Sequence, residues 1–285
     1  MFEPSLKVTE PYNLGSLRTG DLEVRLAENP KEIEAAQRLR YQVFYEEMQA
    51  NASPLVAKLK KDVDPFDAYC DHMLVFDHSL RENGVSPVVG TYRLLRQEIA
   101  EKQTGFYSSH EYDISVLKEY PGEILELGRS CVHADHRSRP TLQLLWRAIA
   151  AYVNYHRIEI LFGCASFPGI DTKALEHHLS FLYHHHLAPP AMRTRALPDR
   201  YVSMQNVDYH NIDPRRLFLT LPPLIKGYLR VGAYIGDGAV VDNDFNTTDV
   251  CIIVKTELIA DKYLRYYEFE KPSNHENTDR DCTES

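Results

Sequence analysis

The stretch "LELGRSCVHADHRSRPTLQLLWRAIAAY" (residues 125–152) decides the fold, because a strand-like run, a charged loop and an amphipathic helix follow one another in it without a break. Gly128 interrupts the run "EILELGRSCVH" (123–133), and a glycine inside a strand marks a bulge or a close backbone approach. After the loop "HADHRSRP" (133–140), Pro140 can open a helix whose Leu142, Leu145, Trp146, Ile149 and Val153 recur at i, i+3, i+4, i+7 and i+11. The loop holds Arg137 and Arg139 but no glycine. Its place between a bulged strand and a helix start raises the question of what two arginines would hold there.

Working outward, "LEVRLAE" (22–28) alternates as a strand does, and "NPKE" supplies Asn29 as N-cap, Pro30 at the first helical position and Glu32 at the third. The helix that follows is expected to run to about Gln49, with Ile33, Ala36, Val43 and Phe44 near helical spacing and Arg40 on the same flank. "HMLVFD" (72–77) and "VVGTYRLL" (88–95) read as strands joined by the turn-forming "HSLRENGVSP". Downstream, "IEILFGCASF" (158–167) is almost continuously apolar, as a central strand covered on both faces would be. A helix from about Asp171 to Leu187 and strands near 201–207, 228–235 and 249–255 complete the pattern. The alternation predicts an α/β (α+β mixed) protein with a mixed sheet. One main domain over 21–270 is expected, between an irregular segment (1–20) and a disordered polar tail (271–285).

A formal charge of −9 over 285 residues argues against a general nucleic-acid binder, which needs a net basic face. Cys70, Cys131, Cys164, Cys251 and Cys282 are odd in number and contain no C-x-x-C pair, so neither a disulfide framework nor a thiolate zinc site is indicated. A reducing cytoplasm fits. The start, "MFEPSLKVTEPYNLGSLRTG", lacks the cationic-then-apolar order of a signal peptide. No apolar run approaches the ~18 residues of a membrane span. The expected location is cytoplasmic, with peripheral contact on the inner membrane as the alternative.

The order of strands and helices is similar to the GNAT acyltransferase fold, which implies a mostly antiparallel mixed sheet with helices on both faces. Within it, "LRYQVFYEEM" (39–48), "DVDPFDAYCDHMLV" (62–75), "VVGTYRLL" (88–95) and "LELGRSCV" (125–132) resemble blocks of the acyl-homoserine lactone (autoinducer) synthases. "LPPLIKGYLRVGAYIGDGAVVDNDFNTTDVCIIV" (221–254) resembles instead the ornithine lipid synthases, which attach a 3-hydroxyacyl chain from acyl carrier protein to the α-amine of L-ornithine, giving lyso-ornithine lipid. The resemblance spans about residues 22–267. It implies a 3-hydroxyacyl acyl carrier protein as co-substrate, carrying the chain on phosphopantetheine, with no bound cofactor and no metal. An autoinducer synthase, accepting S-adenosylmethionine, or another acyl-thioester-dependent amino-acid N-acyltransferase is the alternative. The loop question then has an answer: one phosphodiester on an acidic carrier protein would suit Arg137 and Arg139 beside Val132, whereas close wrapping of a diphosphate favours glycines. Simple solvation of the loop by these side chains is the competing reading.

Amide formation from a thioester needs a neutral amine, a polarised carbonyl and a stabilised thiolate. Glu126, before the bulge, is the first candidate for receiving the amine's proton, although a lone strand glutamate can equally face solvent. A bulge frees backbone N–H groups that can hold the oxyanion, and Arg129, Ser130 and Cys131 follow it; Ser130 is taken as catalytic and Arg129 as substrate-binding. Cys131 has no His–Asp set to activate it and reads as a buried thiol. The resemblance places a thiolate-protonating tyrosine near Tyr183, where packing would also suit a tyrosine. Arg40 and Arg93 could bind the acceptor's carboxylate and Asp62 and Asp64 its side-chain ammonium, or all four could simply pair with one another.

Two features distract. In "EHHLSFLYHHH", His177 with His184 and His178 with His185 lie seven residues apart, about 10.5 Å along a helix, too far to share one ion. "GAYIGDGAV" (232–240) lacks the G-x-G-x-x-G order, and a turn between strands would explain its glycines. For "LPPLIKGYLRVGAYIG", peripheral membrane contact through Lys226 and Arg230 competes with a buried strand pair.

Overall fold

The computed structural model describes residues 16–83 and 87–257. The expected irregularity before residue 16, the polar tail and Cys282 lie outside the described residues. The chain opens with β1 (Leu17–Thr19) and β2 (Leu22–Leu26), then α1 (Pro30–Tyr41), a π-helical turn (Gln42–Glu47) and α2 (Pro54–Leu59). Next come β3 (Asp71–Asp77), β4 (Val88–Arg96), α3 (Gln97–Ala100), β5 (Tyr112–Asp113), α4 (Ser115–Lys118) and β6 (Glu123–Val132). The second half holds α5 (Arg139–His156), β7 (Ile158–Pro168), α6 (Glu176–His186), β8 (Arg195–Ala196) and β9 (Tyr201–Val202). It ends with α7 (Pro214–Thr220), α8 (Pro223–Arg230), β10 (Tyr234–Asp242) and β11 (Thr247–Lys255).

Asn29 caps α1, accepting from the N–H groups of Lys31 and Glu32. Glu32 does not close the box on Asn29; its carboxylate accepts the Glu28 N–H at 2.8 Å and pairs with Arg25 at 2.7 Å, tying α1 to β2. The expected long helix changes geometry at Gln42 and ends by Glu47.

The strands form one sheet in the order β1-β2-β3-β4-β6-β7-β11-β10-β8-β5, with β9 added on β10. Apart from β6 with β7 and a short β8 with β10 pairing, neighbours run antiparallel. α5, α6 and α8 cover one face, over Leu125, Leu161 and Ile252. α1 and the turn after α3 cover the other, over Leu74 and Phe162.

Two assignments are corrected. Residues 228–235 do not form a strand with what precedes them: "PLIKGYLR" is helix α8, because Ile225, Tyr228 and Leu229 fall on one helical face and are buried. Of the glycines of "GAYIGDGAV", Gly232 lies in a turn at φ 95°, but Gly236 and Gly238 lie within β10, where a Cβ on Gly236 would stand 2.3 Å from Thr194 Oγ1. The buried stripe of α5 is also shifted from the expected one, through Leu144, Leu145, Ala148, Ile149 and Tyr152. Leu142 and Trp146 turn away from it, into a cavity.

Candidate active site

β6 and β7 pair only from Glu123–Glu126 against Ile158–Phe162. Beyond that, β6 stays with β4 and β7 with β11, so the two strands part. Gly163 marks the vertex, for a Cβ there would come within 2.2 Å of the Leu127 carbonyl oxygen. The gap opens a cavity of about 1200 Å³ lined from both faces of the sheet. Arg93, Glu126, Cys164 and Asp249 line it on one side, and Tyr92, Trp146 and Tyr228 on the other.

Glu126 faces this cavity, not solvent, and is 5% exposed. Its carboxylate accepts from the N–H of Tyr107 at 2.8 Å and of Ser108 at 2.6 Å. Burial pushes its carboxyl above the usual range, with those N–H groups and Arg93 opposing. A carboxylate so raised, with lone pairs to spare, is suited to accepting a proton.

The segment "DVDPFDAYC" folds as a capped turn in which Asp64 accepts the Phe66 N–H at 2.8 Å and Pro65 sits in the first turn. Asp67 is thereby turned inward onto Arg40, which bonds it at 2.9 and 2.6 Å and meets Asp62 at 2.8 Å. Arg93 bonds Asp64 at 2.6 Å, and Arg129 bridges Asp62 and Asp64 at 3.1 Å each. Three arginines thus match three aspartates. The ion-pair reading holds for this group, and Asp62 and Asp64 have their carboxylates taken up by arginines. Arg40, fully buried, does not reach the cavity. Arg93 does: its bonds to Asp64 and Asp67 use Nη1, while Nε and Nη2 lie 3.9 Å from where a Gly128 Cβ would be. The missing side chain leaves that edge of the guanidinium facing the cavity.

The bulge is present one residue beyond Gly128. Arg129 adopts φ 47°, and Arg129 and Ser130 have no register partner on β4 while Thr91 pairs Cys131 and Arg93 pairs Gly128. The Ser130 side chain lies against the Tyr92 hydroxyl, which bonds that of Tyr228 at 2.7 Å. Burial raises both phenols, so they remain protonated donors. Burial pushes the Cys131 thiol up to about 12, which removes it as a nucleophile. Tyr183 packs on the apolar core with α6 and is not among the residues lining the cavity.

At the start of α5, Arg137 donates to the Val132 carbonyl at 3.0 Å and forms a two-pronged pair with Glu47. Val132, Arg137 and Arg139 all line the cavity, as do Leu142 and Gln143 of the first helical turns. The α6 histidines spread apart: His178 bonds Thr220 at 2.9 Å and His184 the Val207 carbonyl at 3.3 Å. Among the described residues, the acidic, cysteine and histidine ligand atoms that converge are those of Glu111, Asp242 and Asp249, within 4.8 Å of one another. The sequence reading missed these, together with Asp67, Tyr92, Tyr107 and Tyr228. Only Asp67 carried a signal, as the third aspartate of "DVDPFD".

The acetyltransferase (GNAT) domain family matches residues 39–147. An L-ornithine N(alpha)-acyltransferase of Brucella abortus is 48% identical over 252 residues, covering 88% of this chain and 90% of that protein. The chain belongs to the L-ornithine N(alpha)-acyltransferase family. The family member from Agrobacterium fabrum is 46% identical over 252 residues, 88% of this chain and 86% of its own. Among solved structures, an N-acyl amino acid synthase from uncultured soil microbes aligns with TM-score 0.45 and 10% identity, over 83% of this chain and 92% of that one. As a member of the L-ornithine N(alpha)-acyltransferase family, the chain is an acyltransferase.

Proposed function

We propose that this chain moves a 3-hydroxyacyl group from the thioester of an acyl carrier protein to the α-amine of L-ornithine, giving lyso-ornithine lipid. The observation that carries the reading is the cavity through the parted strands, with the Arg93 edge and Glu126 on one face and the start of α5 with Trp146 on the other. The amino acid occupies the first side, its carboxylate on Arg93 Nε and Nη2. The pantetheine arm occupies the second, its phosphodiester near Arg139 and Arg137. The α-amine attacks the thioester carbonyl; the C–N bond forms, the C–S bond breaks, and the amine's proton passes to Glu126, directly or through a water. N–H groups of the bulge at Arg129 and Ser130 hold the oxyanion. The thiolate takes its proton from the Tyr228–Tyr92 pair, backed by Ser130. No acyl-enzyme forms.

No helix among the described residues is long and apolar enough to cross a membrane. The amphiphilic product argues for contact with the inner membrane surface, and exposed Leu219, Leu224 and Leu142 near Lys226, Arg215 and Arg216 suit it. The test is to incubate the protein with 3-hydroxypalmitoyl acyl carrier protein and each of ornithine, lysine, glycine and S-adenosylmethionine, following thiol release and product mass. Ornithine-dependent amide is expected; turnover with S-adenosylmethionine alone would make it an autoinducer synthase.

A further inference from the structure

Glu111, Asp242 and Asp249 come from three separate places: the loop before β5, the end of β10 and the start of β11. Their carboxylates converge within 4.8 Å and are 2%, 7% and 5% exposed. Three buried acids so close repel one another and lose hydration, a cost relieved by protonation or by a compensating cation. Cys164 supports Glu111, and Ser166 and Thr247 support Asp249, while the nearest cation, Arg200, acts on both from a distance and donates to the carbonyls of His110 at 3.0 Å and Val241 at 3.4 Å. Asp242 Oδ1 is already engaged, accepting the N–H groups of Asp244 and Phe245. Glu111 Oε2 and Asp249 Oδ1 are buried and have no hydrogen-bond partner, and Thr247 lies against Asp249. Asp242, Thr247 and Asp249 line the same cavity as Glu126, and all lie on the side assigned above to the amino acid. Ser108 joins the two ends, holding Glu126 through its N–H and accepting from Cys164 Sγ at 3.5 Å.

We propose that Glu111, Asp242 and Asp249 form the subsite for the acceptor's side-chain ammonium, and so select a diamino acid over an acceptor with an apolar side chain. This rests on the function proposed above. An ammonium offers three donors to the unpartnered oxygens. The assignment also replaces Asp62 and Asp64, whose oxygens the arginines occupy.

The test compares ornithine with norvaline, which has the same carbon chain and no side-chain amine, using 3-hydroxypalmitoyl acyl carrier protein as donor. Wild-type protein is expected to prefer ornithine by about 100-fold in kcat/KM or more. Asp249→Asn and Glu111→Gln, made separately, are expected to collapse that preference, mainly through the KM for ornithine. Both replace a buried charge by an amide of the same shape, and acceptor-free variants should melt no lower than wild type, which controls for folding. An unchanged ornithine-to-norvaline ratio in folded variants overturns the proposal, as does ornithine turnover lost on chelation and restored by a divalent metal. If wild-type protein acylates other acceptors but not ornithine, the parent reading fails instead.

Discussion

Gly128 shows how one absent side chain can shape a site. Its φ lies outside the left-handed region and nothing crowds its Cα, so alanine fits the backbone. The added methyl would stand against the Nε and Nη2 edge of Arg93. Gly128→Ala is therefore expected to leave the melting temperature unchanged and raise the KM for ornithine about 10- to 100-fold, the worth of hydrogen bonds to a charged group; steady-state kinetics with a melting curve separate the two effects. Arg40 is the opposite case, a buried charge that serves the fold. Removing it takes from Asp62 and Asp67 their shared buried partner and leaves only Arg129 on the first and Arg93 and Gln37 on the second. Arg40→Ala should cost about 3–5 kcal/mol, or on the order of 10 °C in melting temperature, read by calorimetry. A full loss of ornithine binding with unchanged stability would instead restore Arg40 to the acceptor site.

At the scale of elements, α7 and α8 form the surface beside the cavity mouth. Within α7 nothing is buried, and Leu219 is 71% exposed. Leu219→Asp should leave stability within about 0.5 kcal/mol and weaken sedimentation with anionic vesicles several-fold; equal sedimentation would remove this face from membrane contact. Elements with strong local signals were legible in the sequence: Asn29 with Pro30 for α1, the strand runs of β3 and β4 about a turn-forming stretch, the apolar run of β7. So was the bulge after Gly128. What escaped were features made by contact between distant segments. "LPPLIKGYLR" mixes apolar and cationic residues in a way that suits strand or helix, and packing of Ile225, Tyr228 and Leu229 decided it. Glu126 looked free to face solvent because the backbone that covers it, Tyr107 and Ser108, lies in a segment with no motif. Tyr183 fitted by type, while the phenols that reach the cavity come from β4, α8 and the turn at Tyr107. The acidic trio had no chance of being seen, since residues 111, 242 and 249 share no spacing.

The whole molecule carries two opposed sets of acids. Burial works against ionising Asp67, but Arg40, Gln37 and Arg93 hold it well below the usual carboxylate range. Glu32 is likewise held low, by Arg25. Their stabilisation is present above the ordinary carboxylate pKa and is lost as pH falls through the depressed values. Burial instead raises Glu126, Glu111 and Asp249, the latter two also through neighbouring acids. For these, stability is full below the ordinary carboxylate pKa and is lost as pH rises through the raised values. The acceptor-free protein should therefore be most stable near the ordinary carboxylate pKa, at about pH 4–5, and melting curves from pH 2 to 9 should fall on both limbs. Asp249→Asn should flatten the alkaline limb only; an unaltered limb would rule out the buried acids as its cause. The parting of β6 from β7 has a kinetic consequence as well. With donor and amino acid meeting from opposite faces, as proposed, neither must leave before the other arrives, and initial-rate plots should intersect rather than run parallel. Their product, however, is a single molecule threaded through a hole in the sheet, with its head on one side and its tail on the other. It must be drawn out by one end, which makes release the slow step and predicts a pre-steady-state burst of one acyl-ornithine per enzyme.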